Sequence, residues 1–162
     1  MRVLVVSAPL LGHLMPLLPL ASALRAAGHE VLLAAGGGGD TAGLPVRDVA
    51  GGLRFGAVAL RVTAAHPLRA RRELAGRGGT AVVGELFGRV NASLADAVVA
   101  LVGEWRPDLV IHEPLAVAGA FAAARHGVPA VLQENSLWDG PGLVAAASGH
   151  RSGARRRCCG SR

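Results

Sequence analysis

A histidine near the start of the chain and a glutamate about two-thirds of the way along it are the residues best suited to chemistry. His13 lies in a segment that follows one apolar run, and Glu113 directly follows another. A carboxylate that binds one imidazole nitrogen fixes the tautomer of the ring and leaves the other nitrogen as a general base. It also stabilises the imidazolium that forms when the base takes a proton. Because the pattern places no serine or cysteine as a nucleophile beside this pair, we expect the substrate to supply one, for instance a hydroxyl.

The segments around these two side chains predict where they lie. Residues 1–7 and 31–35 are apolar runs, and residues 16–27 between them carry helical periodicity. Two apolar strands joined by a helix are typical of a parallel sheet, whose strands are covered on both faces and need not alternate. His13 and Glu113 both follow such strands, so we expect them at the carboxyl edge of one sheet, where open α/β folds bind ligands.

The rest of the chain repeats this alternation of strand and helix. The elements that the pattern predicts are short strands at 45–49 and 57–62, a long amphipathic helix from Thr80, a strand at 108–112, a helix at 116–126 and a strand at 128–132. This order predicts an α/β fold with a doubly wound, parallel, Rossmann-like sheet.

Two polar segments interrupt the pattern. Residues 36–40 are rich in glycine but lack the spacing of a phosphate-binding loop, so we expect a flexible loop there. The basic stretch from His66 to Arg77 is expected to be irregular, either as a solvated loop or as a mobile flap over a substrate.

The net charge of +6 is concentrated at the carboxyl end. All 17 basic residues are arginine, and five of them lie in residues 148–162, which contain no acidic residue. Residues 1–147 hold the other 12 arginines against 11 acidic residues, which argues against a nucleic-acid-binding surface. Since residues 148–162 also lack hydrophobic periodicity, the sequence predicts a folded domain over 1–147 and a disordered basic tail after it.

The cysteines and the first residues of the chain indicate the cellular compartment in which we expect the protein. Cys158 and Cys159 are adjacent, so they form neither a disulfide framework nor a set of metal ligands, and we expect no metal. The first residues could be read as a secretory signal, but His13 and Pro16 interrupt their apolar run, which continues into the next predicted strand. We expect a cytoplasmic protein without a membrane span.

Histidines in loops are more often surface or capping residues than catalysts. His126 suits the carboxyl end of a helix, His112 suits packing at a strand end, and His66 has no evident partner. The pattern alone leaves a structural role open for His13 beside the catalytic one.

Ordered motifs at both ends of the predicted domain add a family resemblance. The motifs are residues 1–6, Gly12-His13, Pro16-Leu17, Leu20-Ala21, residues 24–31, and residues 105–114 through 127–130. The first five resemble the amino-terminal signature of family 1 glycosyltransferases with the GT-B fold, and the last resembles the segment that carries the acidic partner of their catalytic histidine. The sequence is most similar to the actinobacterial branch that glycosylates macrolide, enediyne and other antibiotic aglycones.

The resemblance implies the acceptor-binding, amino-terminal half of a GT-B fold. By this likeness His13 deprotonates an acceptor hydroxyl, which attacks the anomeric carbon of a TDP- or UDP-linked sugar with inversion and without metal. Glu113 orients His13. Gly12 lets the loop approach the donor closely, and Glu134 and Trp138 contact the aglycone.

One departure from the family bears on activity. Relatives have a second Rossmann-like domain that binds the nucleotide sugar, and no motif of that domain occurs in this sequence. We therefore expect a truncated chain, inactive alone, whose last residues are either a genuine tail or an out-of-frame translation. A non-catalytic acceptor-binding module remains open as an alternative. A nicotinamide-dependent oxidoreductase is disfavoured, because the first turn lacks the glycine fingerprint that binds pyrophosphate.

Overall fold

In the part of the chain that the structure describes, five parallel strands form one sheet. The structure, a computed structural model, describes residues 1–36, 41–134 and 140–155. The strands are β1 (Arg2–Val6), β2 (Glu30–Ala35), β3 (Val46–Asp48), β4 (Leu109–His112) and β5 (Ala130–Leu132). Their spatial order is β3-β2-β1-β4-β5, and each neighbouring pair is parallel. The predicted α/β fold with a parallel sheet is confirmed.

Helices cover both faces of this sheet. They are α1 (Leu11–Leu14), α2 (Leu18–Ala26), α3 (Phe55–Ala65), α4 (Pro67–Leu74), α5 (Ala81–Trp105), α6 (Val117–His126) and α7 (Gly140–Arg155). A 3-10 turn, Met15–Leu17, joins α1 to α2. Pro16 and Pro19 lie in the first turns of that segment and of α2, where an amide hydrogen has no intrahelical partner to lose.

Strand β1 shows why the inner strands are apolar throughout. Val3 and Val5 pack against α1 and α2 on one face of the sheet, and Leu4 and Val6 pack against α5 and α6 on the other. None of the four is more than 2% exposed. A strand buried on both faces has no solvent side, so it carries no polar alternation.

Helix α5 is the long amphipathic helix that the sequence predicts. Its inner face buries Val90, Leu94 and Val98 against the sheet. Its length and apolar composition would suffice to cross a bilayer, but half of its most apolar stretch is buried inside the protein. Packing in the core therefore accounts for the hydropathy of α5.

The segment between β3 and α5 differs from the sequence prediction. The predicted strand at 57–62 lies in α3, and the basic stretch forms α4 instead of a loop. A short apolar run fits a strand or a buried helix equally well, so periodicity could not decide between them. Val62 of α3 is buried with Ala70 of α4 and Val82 of α5, and this small cluster attaches both helices to the domain.

Helix α7 crosses the predicted domain boundary at residue 147. It runs to Arg155, and Ala147 is buried in a cluster with Phe87 and Leu115. Residues 148–155 are therefore helical where the sequence predicts disorder. The rest of the predicted tail, residues 156–162, and most of the glycine-rich loop, residues 37–40, lie outside the described residues.

Candidate active site

The topology places the carboxyl ends of β1 and β4 side by side. The chain adds β2 and β3 on one side of β1, and β4 and β5 on the other. The strand order reverses between β1 and β4, and such a switch point leaves a crevice at the carboxyl ends of the strands, where α/β folds bind ligands. Val6 pairs with His112, so the residues that follow both strands emerge at this crevice.

Helix α1 carries His13 over the crevice. The sequence predicts His13 in a loop, but α1 begins at Leu11, and one turn of helix is too short to show periodicity. His13 Nδ1 lies 3.2 Å from Glu113 Oε2, and the histidine side chain is 22% exposed. The imidazole packs at a tilt on the ring of Phe87, with 5.6 Å between the ring centroids. The predicted pairing of His13 with a distant carboxylate is therefore present.

Backbone amides hold Glu113 in place. Its side chain is buried, and Oε1 accepts a hydrogen bond from Ala8 N at 3.1 Å while Oε2 accepts one from Leu115 N at 2.9 Å. These bonds join the loop after β1 to the loop after β4, and they satisfy a carboxylate that would be costly to bury alone. The contact with His13 is at ion-pair distance but lacks the alignment of a hydrogen bond.

The serine that lies closest in sequence to this pair is engaged elsewhere. Ser7 is fully buried, and its hydroxyl donates to the carbonyl of Ala8 at 2.9 Å.

The other predicted site residues have different surroundings. Gly12 is exposed in α1, and among the described residues a Cβ added there would meet no atom within 4 Å beyond its chain neighbours and the backbone of its own helix. Glu134 is exposed and follows β5, the neighbour of β4. Trp138 lies outside the described residues. His13 and Glu113 are thus the pair that the structure brings into contact.

Two residues of α5 belong to this site, although the sequence analysis did not single them out. Phe87 packs on His13 and on Phe55. Asn91 lies one turn later, is 5% exposed, and hydrogen-bonds to backbone atoms of Phe87, Leu115 and Ala118. The signal that could have found it is an asparagine on the apolar face of a predicted helix, because a buried polar group needs partners.

Three further histidines serve the fold. His112 is buried and donates from Nδ1 to the carbonyl of Glu113 at 3.1 Å. Burial lowers the pKa of His112, and the hydrogen bond and charge of Glu113 oppose that shift. His126, at the end of α6, bonds a carbonyl of α5 at 3.1 Å, and His66 pairs with Glu85 at 3.0 Å.

Comparison with known proteins agrees with this architecture. The family model described as "Erythromycin biosynthesis protein CIII-like, N-terminal domain" matches residues 22–156. L-demethylnoviosyl transferase of Streptomyces niveus is 40% identical over 152 residues, which cover 91% of this chain and 38% of that protein. Elloramycin glycosyltransferase ElmGT of Streptomyces olivaceus is 40% identical over 147 residues, which cover 81% of this chain and 35% of that protein. The chain thus spans less than two-fifths of the length of these curated relatives.

Solved structures show the same fold. The glycosyltransferase SnogD from Streptomyces nogalater matches with a TM-score of 0.77 and 35% identity, covering 97% of this chain and 41% of that chain. The glycosyltransferase SsfS6 of Streptomyces sp. SF2575, complexed with thymidine diphosphate, matches with a TM-score of 0.77 and 30% identity, covering 98% of this chain and 45% of that chain. The Rossmann-like sheet is therefore that of a GT-B glycosyltransferase, and the chain belongs to the family of erythromycin biosynthesis protein CIII-like N-terminal domains.

Proposed function

We propose that the chain is the acceptor-side domain of an inverting glycosyltransferase of antibiotic biosynthesis, with His13 as the general base. The observation that carries this proposal is the pairing of His13 with the buried Glu113 at the switch point of the sheet. The comparisons support it, because ElmGT and SnogD are named as glycosyltransferases and the third Streptomyces relative as L-demethylnoviosyl transferase.

In the proposed reaction the acceptor hydroxyl approaches Nε2 of His13, since Nδ1 faces Glu113. Nε2 takes the hydroxyl proton while the oxygen attacks the anomeric carbon of a nucleoside-diphosphate sugar. The bond from that carbon to the diphosphate oxygen breaks, and its electron pair leaves with the nucleoside diphosphate. Attack opposite the leaving group inverts the anomeric centre.

The surroundings of Glu113 support its proposed role as the residue that orients His13. A charge buried in a medium of low dielectric constant interacts more strongly with an imidazolium than a solvated charge does. The amides of Ala8 and Leu115 hold the carboxylate in position before the reaction, so little reorganisation is needed as positive charge develops on the ring.

The substrates are proposed from the family and from the space around α1. Gly12 would let the TDP or UDP part of the donor approach, because its missing side chain leaves open space. Glu134 and Trp138 are proposed to contact a macrolide or other natural-product aglycone. A separate donor-binding domain would supply the rest of the nucleotide-sugar site, and no metal takes part in the proposed mechanism.

The test is sugar transfer by the chain alone and by a fusion of the chain to the donor-side part of SnogD, whose matched part is 35% identical. We expect the fusion to transfer sugar from a TDP-sugar to an aglycone with inversion, and the chain alone to bind aglycone without transfer. In the fusion, His13→Ala should lower turnover about 100- to 10,000-fold, the usual contribution of a general base. His126→Ala, which removes an exposed histidine of α6, is the matched control and should keep full turnover.

A non-catalytic acceptor-binding module is the second candidate, because the chain spans less than two-fifths of its curated relatives. It predicts aglycone binding with no transfer by either form. Transfer that survives His13→Ala would contradict the general-base role. Absence of both binding and transfer would contradict both candidates.

A further inference from the structure

We propose that Asn91 is a positioning residue, which acts from α5 to hold Glu113 against His13. The catalytic meaning of this inference rests on the proposed function, since it presumes that His13 is the base. The geometry stands on its own contacts, and these can be measured without any turnover.

A continuous path of contacts leads from Asn91 to the imidazole. Asn91 Nδ2 donates to the carbonyl of Leu115 at 2.7 Å. The amide of Leu115 donates to Glu113 Oε2 at 2.9 Å, and the same oxygen lies 3.2 Å from His13 Nδ1. Asn91, Leu115 and Glu113 are all buried, so the loss of a contact along this path leaves a buried polar group without its partner.

Asn91 also fixes the far end of the loop between β4 and α6. Its Oδ1 accepts a hydrogen bond from Ala118 N at 2.8 Å. Ala118 lies in the first turn of α6, where amides lack intrahelical partners, and the residue before α6, Ala116, provides no side-chain cap. Asn91 therefore caps α6 from a neighbouring helix, and the loop that carries Glu113 is held at Leu115 and Ala118 together.

One turn of α5 contacts both His13 and the loop that carries Glu113. Phe87 contacts the ring of His13, and its carbonyl accepts a hydrogen bond from Asn91 Nδ2 at 2.8 Å. Asn91 hydrogen-bonds to the loop that carries Glu113. The spacing of Phe87 and Asn91 along α5 therefore sets the distance between the imidazole and the carboxylate. Leucine at position 91 would fill a similar volume but would leave the carbonyl of Leu115 and the amide of Ala118 buried without partners.

The experiment measures which ring nitrogen of neutral His13 carries the proton, from the nitrogen NMR shifts of the ring in the whole chain, with the signal assigned from His13→Gln. Glu113→Gln defines the full loss of the carboxylate and should shift the tautomer ratio of His13 away from the Nδ1–H form. We expect Asn91→Leu and Asn91→Ala to shift this ratio about half as far in the same direction, because the carboxylate is no longer held beside Nδ1.

Val98→Ala is the matched control, because Val98 is fully buried on the same helix but packs in the sheet-facing core. It should lower the free energy of unfolding without changing the tautomer ratio of His13. A purely structural Asn91 would behave in the same way, so an unchanged tautomer ratio in the Asn91 variants would overturn the proposal. An equal shift in Val98→Ala would overturn it too.

Hydrogen exchange in the unaltered chain tests the same path if the Asn91 variants do not fold. The amides of Leu115 and Ala118 should exchange as slowly as those of the α5 core near Leu94. Exchange faster by about 100-fold would show that Asn91 does not hold the loop. None of these measurements uses sugar transfer, so an inactive fusion would count against the proposed function alone. A tautomer ratio of His13 that Glu113→Gln leaves unchanged would count against the pair and this inference.

Discussion

Glu113 serves the fold and the proposed chemistry with the same two oxygens. Oε1 binds the loop after β1, and Oε2 binds the amide of Leu115 while facing His13. Removal of the Glu113 side chain therefore removes structural contacts together with a charge. His13 is partly exposed and its described contacts are fewer, so variants of His13 separate the chemical role from the structural one more cleanly.

His112 should make the stability of the domain sensitive to acid. Burial lowers the pKa of His112 below its ordinary value of 6.5, which the unfolded chain recovers. The unfolded chain then binds a proton more readily than the folded one, so stability is full above about pH 6.5 and falls as the pH drops towards the pKa of the folded state. We expect His112→Gln to flatten this fall as the pH is lowered below about 6.5 in urea denaturation.

The control for this prediction is His126→Gln, which removes an exposed histidine at the end of α6. It should keep the pH dependence of the unaltered chain. If His112→Gln also keeps that dependence, another group causes the loss of stability in acid.

At the scale of elements, α4 caps α5. Thr80, the residue before α5, makes no side-chain cap, but the carboxylate of Glu73 accepts hydrogen bonds from Val82 N at 2.9 Å and from Val83 N at 3.2 Å. A negative charge at this end of a helix also interacts favourably with the helix dipole. We expect Glu73→Ala to lower the free energy of unfolding by about 0.5–2 kcal/mol in urea denaturation.

The control for this prediction is Glu104→Ala, which removes a carboxylate from the other end of α5. Glu104 is exposed in the last turn of α5, where a negative charge is unfavourable, so its removal should leave stability unchanged or raise it slightly. Equal losses in the two variants would mean that side-chain loss, and not capping, explains the effect of Glu73→Ala.

The elements that sequence could predict are the long and buried ones. Strands β1, β2 and β4 are apolar runs, and α5 shows its period over 25 residues. Helix α4 could not be predicted in this way, because Leu68 and Leu74 are exposed at 78% and 87% and Ala70 is its buried contact with the core. Because α4 contacts the rest of the domain through Ala70 and the carboxylate of Glu73, its sequence lacks the periodic apolar face that predicts a buried helix.

The candidate site could be predicted in part for a related reason. His13 and Glu113 both follow parallel strands, so a shared edge could be inferred, but the adjacency of β1 and β4 is a property of the whole sheet. The role of Asn91 could not be inferred, since its bonds reach backbone atoms of Leu115 and Ala118, 24 and 27 residues away. The type of a side chain does not indicate which distant backbone groups it will hydrogen-bond.

At the scale of the whole molecule, α7 belongs to the folded domain. Ala147 is 2% exposed and packs in one cluster with Ala8, Phe87 and Leu115. Helices α5, α6 and α7 also line an apolar cavity of about 330 Å³. Phe87 contacts His13, and Leu115 contacts Glu113. Helix α7 therefore packs against residues that themselves contact the candidate pair.

Truncation should therefore show that α7 belongs to the cooperative fold. A chain ending at residue 139 should lose at least about 2 kcal/mol of its free energy of unfolding, since the apolar burial of Leu143, Val144 and Ala147 is worth about 25 cal/mol per Å².

Ala147→Asp in the full chain is the matched point variant, because it places a charge in the same cluster with all residues present. Urea denaturation and binding of an apolar dye measure these effects, and a chain ending at residue 139 that is as stable as the full one would mean that α7 lies outside the cooperative fold.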